Sequence, residues 1–172
     1  MDEDFLLIQR MKWGDEAAMD AFVRKYYADI LHYCCRHLYD SGEAEDAAQE
    51  TFERFFRRLR DYRHYGKAKN YLYVIARNAC KSRYGAASTV PLDESIPSDA
   101  DDLGRVDVKA DLFTAIRKLP EELREVLILR YFQDLKLSEI AQILQIGLPL
   151  VKYRLRRAKQ CMREQLGEEE YR

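Results

Sequence analysis

The sequence predicts an all-α protein in which two small helical domains are joined by a flexible acidic linker. Apolar residues recur every three or four positions through most of the 172 residues, which is the spacing of amphipathic helices. Only 7 glycines and 4 prolines are present, and the turn-bounded runs typical of strands are absent. The stretch from Gly85 to Gly104 interrupts the helical pattern with glycine, serine, proline and aspartate. We therefore expect domains at residues 1–84 and 106–172, with the linker at residues 85–105.

The first domain is expected to contain four helices. Their predicted ranges are residues 5–12, 16–39, 43–61 and 67–83. Gly14 should end the first helix, because glycine readily adopts the backbone conformation that terminates a helix. Asp15 is placed to cap the second helix, since a carboxylate accepts hydrogen bonds from unpaired amides at a helix start. Ser41 and Gly42 are expected to form a turn before the third helix.

The second domain should begin with a helix near Val106 and continue with another after Pro120, a residue suited to the first turn of a helix. Two short helices then meet at Gly147, and Ser138 is placed to cap the first of them. The last helix separates an apolar face from a cationic one. These faces comprise Val151, Leu155, Ala158 and Met162, and opposite them Lys152, Tyr153, Arg156, Arg157 and Lys159. A helix, a tight turn and a cationic helix form the arrangement that enters a DNA major groove.

The charge of the chain is sorted into blocks, although the net charge is only -1. Between Arg54 and Arg83 there are ten cations and one acid. Between Asp93 and Asp111 there are seven acids and two cations, and between Lys152 and Arg163 six cations and no acid. Two basic surfaces separated by an acidic segment indicate a nucleic-acid partner.

Several classes of function are disfavoured by the sequence. We find no clustered acids for a pair of metals, no phosphate-binding glycine loop and no nucleophile with a base, so we predict no enzyme and no cofactor. His32 and Cys35 could share a helix face, but no second ligand pair lies near them, and we predict no metal site. The four irregularly spaced cysteines suit a reducing compartment. An acidic start and the lack of a long apolar run predict a cytoplasmic protein without membrane insertion.

Cations alternate with aromatic residues between Arg58 and Tyr71. Cations bind phosphates by releasing counterions, and aromatic rings stack on unpaired bases. One such stack contributes about 1–3 kcal/mol, which is comparable to the cost of unstacking one base. The segment could therefore trap an opened base without a chemical energy source.

Three motifs resemble the extracytoplasmic-function sigma factors of bacterial RNA polymerase. The first is Glu43-Ala-Glu-Asp-Ala-Ala-Gln-Glu-Thr-Phe52, similar to the helix of that family that docks on the polymerase clamp. The second is Tyr71-Leu-Tyr-Val-Ile-Ala-Arg-Asn78, similar to its promoter-melting helix. The third is Leu119-Pro-Glu-Glu-Leu-Arg-Glu-Val-Leu-Ile-Leu-Arg130, followed by the helix-turn-helix. The resemblance implies a promoter-specificity subunit that binds core polymerase and promoter DNA, with an anti-sigma factor as a further partner.

The resemblance also implies which residues make these contacts. Those expected to bind core polymerase are Asp46, Gln49, Glu50, Phe52 and Arg54. Those expected at the minus-ten promoter element are Arg63, His64, Tyr65, Lys67, Lys69, Tyr71, Asn78 and Lys81. Those expected at the minus-thirty-five element are Lys152, Tyr153, Arg154, Arg156, Arg157 and Lys159, with Arg154 and Lys159 assigned to the DNA backbone.

The sequence departs from the family at two points. Tyr71 occupies the position of a usual tryptophan, and the segment from Gly147 to Leu150 lacks the usual hydroxyl residues, so a side-chain cap and a phosphate ligand are missing. Glycine remains an acceptable cap, and Pro149 is tolerated in a first helical turn.

Other interpretations stay open from the residues alone. The polar face around Asp46 is equally consistent with a solvated helix flank. Tyr62, Tyr65 and Tyr71 are consistent with core packing, which we expect for at least one of them. The linker is either a solvated tether or, by resemblance, a segment that threads the nucleic-acid channel of the polymerase. A stand-alone helix-turn-helix regulator would explain the second domain but leave the first without a role.

Overall fold

The structure, a computed structural model, describes residues 2–84 and 106–167, apart from the side chains of residue 84 and residues 106–110. Within these two ranges there are helices and connecting turns but no strands, which confirms the all-α prediction. Two compact units are present, one within Met1–Ile96 and the other within Pro97–Arg172. The predicted linker, 85–105, lies outside the described residues.

The first unit contains four helices. They are α1 (Glu3–Lys12), α2 (Glu16–His37), α3 (Ser41–Arg57) and α4 (Ala68–Tyr84). Gly14 lies between α1 and α2 with φ +85°, and the Asp15 carboxylate accepts a hydrogen bond from the Ala18 amide at 3.2 Å. Both residues therefore have the roles that the sequence predicted for them.

The prediction of a turn at Ser41 and Gly42 was wrong, because both residues belong to the first turn of α3. The Asp40 carboxylate caps this helix by accepting a hydrogen bond from the Glu43 amide at 3.0 Å. A Cβ atom at position 42 would lie 3.1 Å from Asp40 Oδ1, so glycine leaves room for the cap. The end predicted at residue 61 was also late, since α3 ends at Arg57 and tight turns follow.

Phe22 lies at the centre of the core of the first unit and is fully buried. Its ring stacks on Phe55 with centroids 4.8 Å apart and meets Phe52 edge-on at 6.5 Å. Tyr33 and Tyr73 form a second buried aromatic contact at 5.4 Å, which joins α2 to α4. Aromatic packing thus fixes α3 and α4 against α2.

The second unit contains a π-helical turn among its helices. The elements are α5 (Val106–Lys118), α6 (Glu121–Leu127), the π-helical turn (Ile128–Phe132), α7 (Leu137–Leu144) and α8 (Leu148–Leu166). The predicted apolar face of α8 is confirmed, because Val151, Leu155, Ala158 and Met162 are all buried. Fully buried residues of the preceding elements, such as Leu129 and Ile140, complete the core of the second unit.

One capping prediction in the second unit was wrong. Ser138 is the second residue of α7 and does not cap it; Lys136 precedes the helix, and its amide donates to Glu139 Oε2 at 2.9 Å. The prediction of a helix after Pro120 is confirmed, because α6 begins at Glu121. Gly147 precedes α8, and no side chain caps this helix. Pro149 is the second residue of α8 and is tolerated there because the first backbone nitrogens of a helix have no carbonyl partner within it.

No helix within residues 2–84 and 106–167 is long and apolar enough to cross a membrane. The four cysteines are free thiols. In the same ranges, no group of three or more histidine, cysteine or acidic residues is arranged to hold a metal ion.

Candidate nucleic-acid interface

The outer face of α3 presents Asp46 and Gln49, both exposed and about one helical turn apart. Phe52 lies one turn after Gln49 but is turned toward the core, where it is only 5% exposed and packs against Phe22 and Tyr27. Asp46 and Gln49 are therefore available to a partner, whereas Phe52 supports the helix from within.

Glu50 belongs to an ion-pair network that joins α3 to α4. Arg83 Nη1 donates to Glu50 Oε2 at 2.5 Å, and Arg83 Nε lies 3.3 Å from Glu43 Oε2. Arg54, one turn after Glu50, pairs with its other oxygen. Partial burial acts to raise the pKa of Glu50, but the hydrogen bond from Arg83 and the charge of Arg54 outweigh it, and the pKa is lowered. Glu50 is thus ionised and already paired at neutral pH.

The segment between α3 and α4 alternates inward and outward side chains. Tyr62 and His64 point inward, and Arg63 and Tyr65 point to solvent, with Tyr65 82% exposed. The Tyr62 ring stacks on Tyr71 at 5.0 Å with 29° between the planes. Tyr62 and Tyr71 therefore take part in packing, and Tyr65 does not.

His64 has partners on both ring nitrogens. Its Nε2 lies 2.6 Å from Asp2 Oδ2, and its Nδ1 lies 3.2 Å from the Tyr62 hydroxyl. Because a carboxylate only accepts hydrogen bonds, Nε2 donates to Asp2, and the tautomer with its proton on Nε2 leaves Nδ1 to accept from the Tyr62 hydroxyl. Burial raises the pKa of Tyr62 to about 12, so its hydroxyl stays protonated at neutral pH. The prediction that His64 contacts DNA stays a prediction.

The outer face of α4 carries three of the predicted DNA-binding residues. Tyr71, Asn78 and Lys81 follow one another at seven- and three-residue spacing, which places them along one side of the helix. Asn78 and Lys81 are exposed, and Tyr71 is half-buried. Together with Arg63 and Tyr65 they form what we call the α4 surface.

The other two lysines predicted at this element differ in their surroundings. Lys67 is exposed beside the start of α4. Lys69 is partly buried, and its Nζ lies 2.9 Å from Asp29 Oδ2 and 5.9 Å from the centre of the Tyr73 ring. Lys69 thus holds α4 against α2.

In the second unit, five of the six residues predicted to bind DNA are exposed along α8. They are Lys152, Tyr153, Arg156, Arg157 and Lys159. Arg154 is partly buried and lies 3.6 Å from Glu122 of α6. Lys159 Nζ lies 5.3 Å from the centre of the Tyr131 ring. Leu148 and Leu150, 38% and 39% exposed, stand at the start of the same helix.

Comparison with known proteins matches both units to one family. Residues 22–89 match the family model for sigma-70 region 2, and residues 109–162 match that for sigma-70 region 4. The RNA polymerase sigma-H factor of Pseudomonas aeruginosa is 30% identical over 178 residues, covering 94% of this chain and 92% of the relative. The ECF RNA polymerase sigma factor SigW of Bacillus subtilis is also 30% identical, covering 92% and 94%.

The chain belongs to the extracytoplasmic-function sigma factors.

Solved structures share the fold of this sigma factor. CnrH, in complex with the cytosolic domain of CnrY, aligns with a TM-score of 0.77 at 19% identity, covering 96% of this chain and 97% of that one. The sigma factor RpoE of Bartonella quintana, in complex with the anti-sigma factor NepR, aligns with a TM-score of 0.73 at 18% identity, covering 89% and 98%. At 18% and 19% sequence identity, these two comparisons show a shared fold alone.

Several supporting residues of this sigma factor were missed in the sequence. Asp2, Asp29, Arg83 and Glu122 each hold a predicted site residue in place through an ion pair or a hydrogen bond. Each lies at least 32 positions from its partner. No periodic signal links residues so far apart, so only the folded chain reveals these pairs.

Proposed function

We propose that this sigma factor directs core RNA polymerase to promoters, with its first unit at the minus-ten element and its second at the minus-thirty-five element. The observation that carries the proposal is the match of the two units to sigma regions 2 and 4, each with an exposed basic helix. We assign these roles to residues 1–84 and 106–172, with residues 85–105 as the tether. The chain acts in the cytoplasm, where it binds polymerase and has no catalytic activity of its own.

The proposal is tested by run-off transcription with purified core polymerase and mapping of the start sites. Addition of the chain should create new start sites preceded by a shared pair of sequence elements. A stand-alone helix-turn-helix regulator would instead bind its DNA tightly without core enzyme. Mobility-shift assays with and without core polymerase separate the two, and binding that does not depend on core polymerase would overturn the sigma-factor assignment.

For core polymerase we assign direct contact to Asp46 and Gln49. The assignment rests on their exposure beside Phe52, which anchors the helix in the core. Glu50 and Arg54 remain assigned to the same surface, where their ion pairs keep its shape.

Asp46→Lys should lower the affinity for core polymerase at least about tenfold, since about 1.4 kcal/mol corresponds to that factor and charge reversal adds repulsion to a lost contact. Binding is measured by titrating labelled chain with core enzyme. Asp20→Lys is the matched control, because it makes the same charge change at an exposed position of α2, where Asp20 pairs with Arg24 of the same helix. Equal affinities for the two variants would remove this assignment.

For the minus-ten element we assign the α4 surface, in which Arg63 and Lys81 attract phosphates, Tyr65 stacks on an unpaired base and Asn78 faces a base edge. Lys67 adds a phosphate contact at the start of α4. Tyr71, His64 and Lys69 stay in the assigned surface, and we propose that they act mainly by holding it in shape, because each has a defined protein partner.

For the minus-thirty-five element we assign base edges and nearby phosphates to Lys152, Tyr153, Arg156 and Arg157, and the DNA backbone to Arg154 and Lys159. Arginine binds guanine through two hydrogen bonds in the major groove, whereas lysine more often binds phosphate. The exposure of α8 on its cationic side supports this orientation.

The exposed Leu148 and Leu150 should read thymine at the start of α8, because apolar side chains contact its 5-methyl group in the major groove. Replacing thymine with deoxyuridine at single positions of the minus-thirty-five element removes only that methyl. We expect a position at which the wild type loses about three- to tenfold in holoenzyme binding and the variant Leu150→Ala loses nothing, because that methyl contacts Leu150. Uniform losses at every thymine, or none, would contradict this readout.

We also propose an anti-sigma factor as a partner of this chain. Support comes from the two similar folds, since CnrH was solved with the cytosolic domain of CnrY, and RpoE of Bartonella quintana with the anti-sigma factor NepR. Mass spectrometry of proteins that co-purify with the tagged chain from its own cells tests this. Recovery with core polymerase subunits alone would argue against such a partner.

A further inference from the structure

Helix α1 precedes the residues 22–89 that match sigma region 2, yet it is firmly attached to this unit. The buried carboxylate of Asp4 accepts hydrogen bonds from the Tyr26 hydroxyl at 2.5 Å and from Lys25 Nζ at 2.9 Å, both on α2. Ile8 and Met11 are buried on the same side. The buried apolar residues of α1 and the hydrogen-bonded Asp4 carboxylate thus fix this helix against α2.

Both ends of α1 contact the segment that carries Arg63 and Tyr65. At its start, Asp2 Oδ2 lies 2.6 Å from His64 Nε2. At its end, Lys12 Nζ donates to the backbone carbonyl of Tyr62 at 2.6 Å. The hydrogen bond from His64, together with that from the Asp4 amide, lowers the pKa of Asp2, so this carboxylate is ionised at neutral pH. Both contacts are charge-assisted, which strengthens them.

The residues held by α1 alternate with the residues that face solvent. Tyr62 and His64 are bound to the bundle, and Arg63 and Tyr65 project from the intervening positions. An irregular segment without such restraints would have to lose conformational freedom when DNA binds, which costs free energy for every residue that becomes ordered. Fixing every second residue in advance removes much of that cost.

We propose that α1 is a brace that positions Arg63 and Tyr65 for promoter opening, with Asp2, Lys12 and His64 as its positioning residues. The inference rests on the proposed function, because it assigns these residues to the opening of the minus-ten element. Two of these positioning residues, Asp2 and Lys12, lie outside the segment that matches the family model. The brace also gives His64 a role that does not require contact with DNA.

The test uses holoenzyme assembled from core polymerase and the full chain on a promoter with 2-aminopurine within the minus-ten element. Lys12→Met removes the ammonium group but keeps an apolar stem. Asp2→Ser keeps a helix cap, since serine caps as well as aspartate, but is too short to reach His64. Each should slow the rise in fluorescence about three- to tenfold, because the two hydrogen bonds are exposed and a net loss in the ordinary range for one hydrogen bond is expected.

Arg10→Met is the matched control for Lys12→Met. It removes the same charge from the same helix, but Arg10 pairs with Asp15 and not with the segment before α4. His64→Ala should slow opening, and adding Asp2→Ser to it should cause no further loss, since the two residues share one contact. His64→Gln, which can still donate to Asp2, should recover most of the rate.

Two further measurements distinguish a brace from a general loss of stability. The thermal midpoint of the free chain should fall no further in Lys12→Met and Asp2→Ser than in Arg10→Met, which also removes one polar contact of α1, and the affinity for core polymerase should stay within error of the wild type. On a promoter opened in advance by mismatches, the variants should initiate at the wild-type rate. If the proposed function fails, wild-type holoenzyme opens no promoter. If only the brace fails, Lys12→Met and Asp2→Ser open it at the wild-type rate.

Discussion

Tyr65→Ala should slow promoter opening about 5- to 150-fold, because stacking of an aromatic ring on an unpaired base contributes about 1–3 kcal/mol. Tyr65 is 82% exposed, and the aromatic residues on either side of it, Tyr62 and Tyr71, stack on each other inside the protein. It is therefore the aromatic side chain of this segment best placed to accept a base. The measurement is the rate at which holoenzyme opens a duplex promoter containing 2-aminopurine.

Tyr65→Phe is the matched variant, since it keeps the ring and removes only the hydroxyl. We expect it to retain most of the wild-type rate if stacking dominates. Because Tyr65 makes little contact with the rest of the chain, neither variant should change its thermal midpoint. A rate for Tyr65→Ala equal to that of the wild type would show that another group holds the opened base.

Local patterns in the sequence predicted the helices well. The buried face of α8 follows from apolar residues at helical spacing, and the break at Gly14 and Asp15 follows from backbone freedom and side-chain capping. The errors occurred at helix ends, where neighbouring residues compete as caps. Asp40, and not the Ser41-Gly42 pair, determines the start of α3, and Glu139 satisfies the amide before α7 where Ser138 was expected to act.

The candidate site was only partly predictable, because a side chain's type does not reveal its partner. Glu50 was expected on an outer face, but Arg83, 33 positions away, holds it against α4. The contact of His64 with DNA stays a prediction, and the sequence did not reveal that Asp2, 62 positions away, binds its ring. The exposure of Arg156 followed from the helical pattern of α8, whereas the sequence left open whether Tyr65 is packed or exposed.

Ion pairs within the first unit partly neutralise the basic block between Arg54 and Arg83. Of the ten cations between Arg54 and Arg83, at least three form ion pairs within the first unit, namely Arg54, Lys69 and Arg83. When these paired cations bind DNA, fewer counterions should be released than the total of ten cations suggests, because the charge of the paired cations is already partly neutralised. The α8 block keeps more of its charge exposed, with Arg154 paired at a longer distance. Electrostatic attraction per cation should therefore be stronger in the second unit.

Phe22→Ala should lower the free energy of unfolding of the first unit by about 3–5 kcal/mol, the usual cost of removing a buried phenylalanine ring. Phe22 is fully buried, and its ring lies 4.8 Å from that of Phe55 and 6.5 Å from that of Phe52. Truncation would therefore leave a cavity where α2 meets α3. Because small domains are stable by only about 5–15 kcal/mol, this loss is a large fraction of the total.

Urea unfolding of the full-length chain, followed by circular dichroism, measures this loss. Phe5→Ala is the matched control, because it removes the same ring from α1 at a site that is 43% exposed, and its effect should stay within about 0.5 kcal/mol. Among the proposed functions, binding of core polymerase should be the one affected by Phe22→Ala. The Phe22 ring packs against Phe52 and so supports α3, which carries Asp46. The Phe22→Ala variant should bind core polymerase more weakly. The urea concentration at which the second unit is half unfolded should stay unchanged. If both units lost stability together, they would form one cooperative body, and the roles assigned to them could not be separated by mutation.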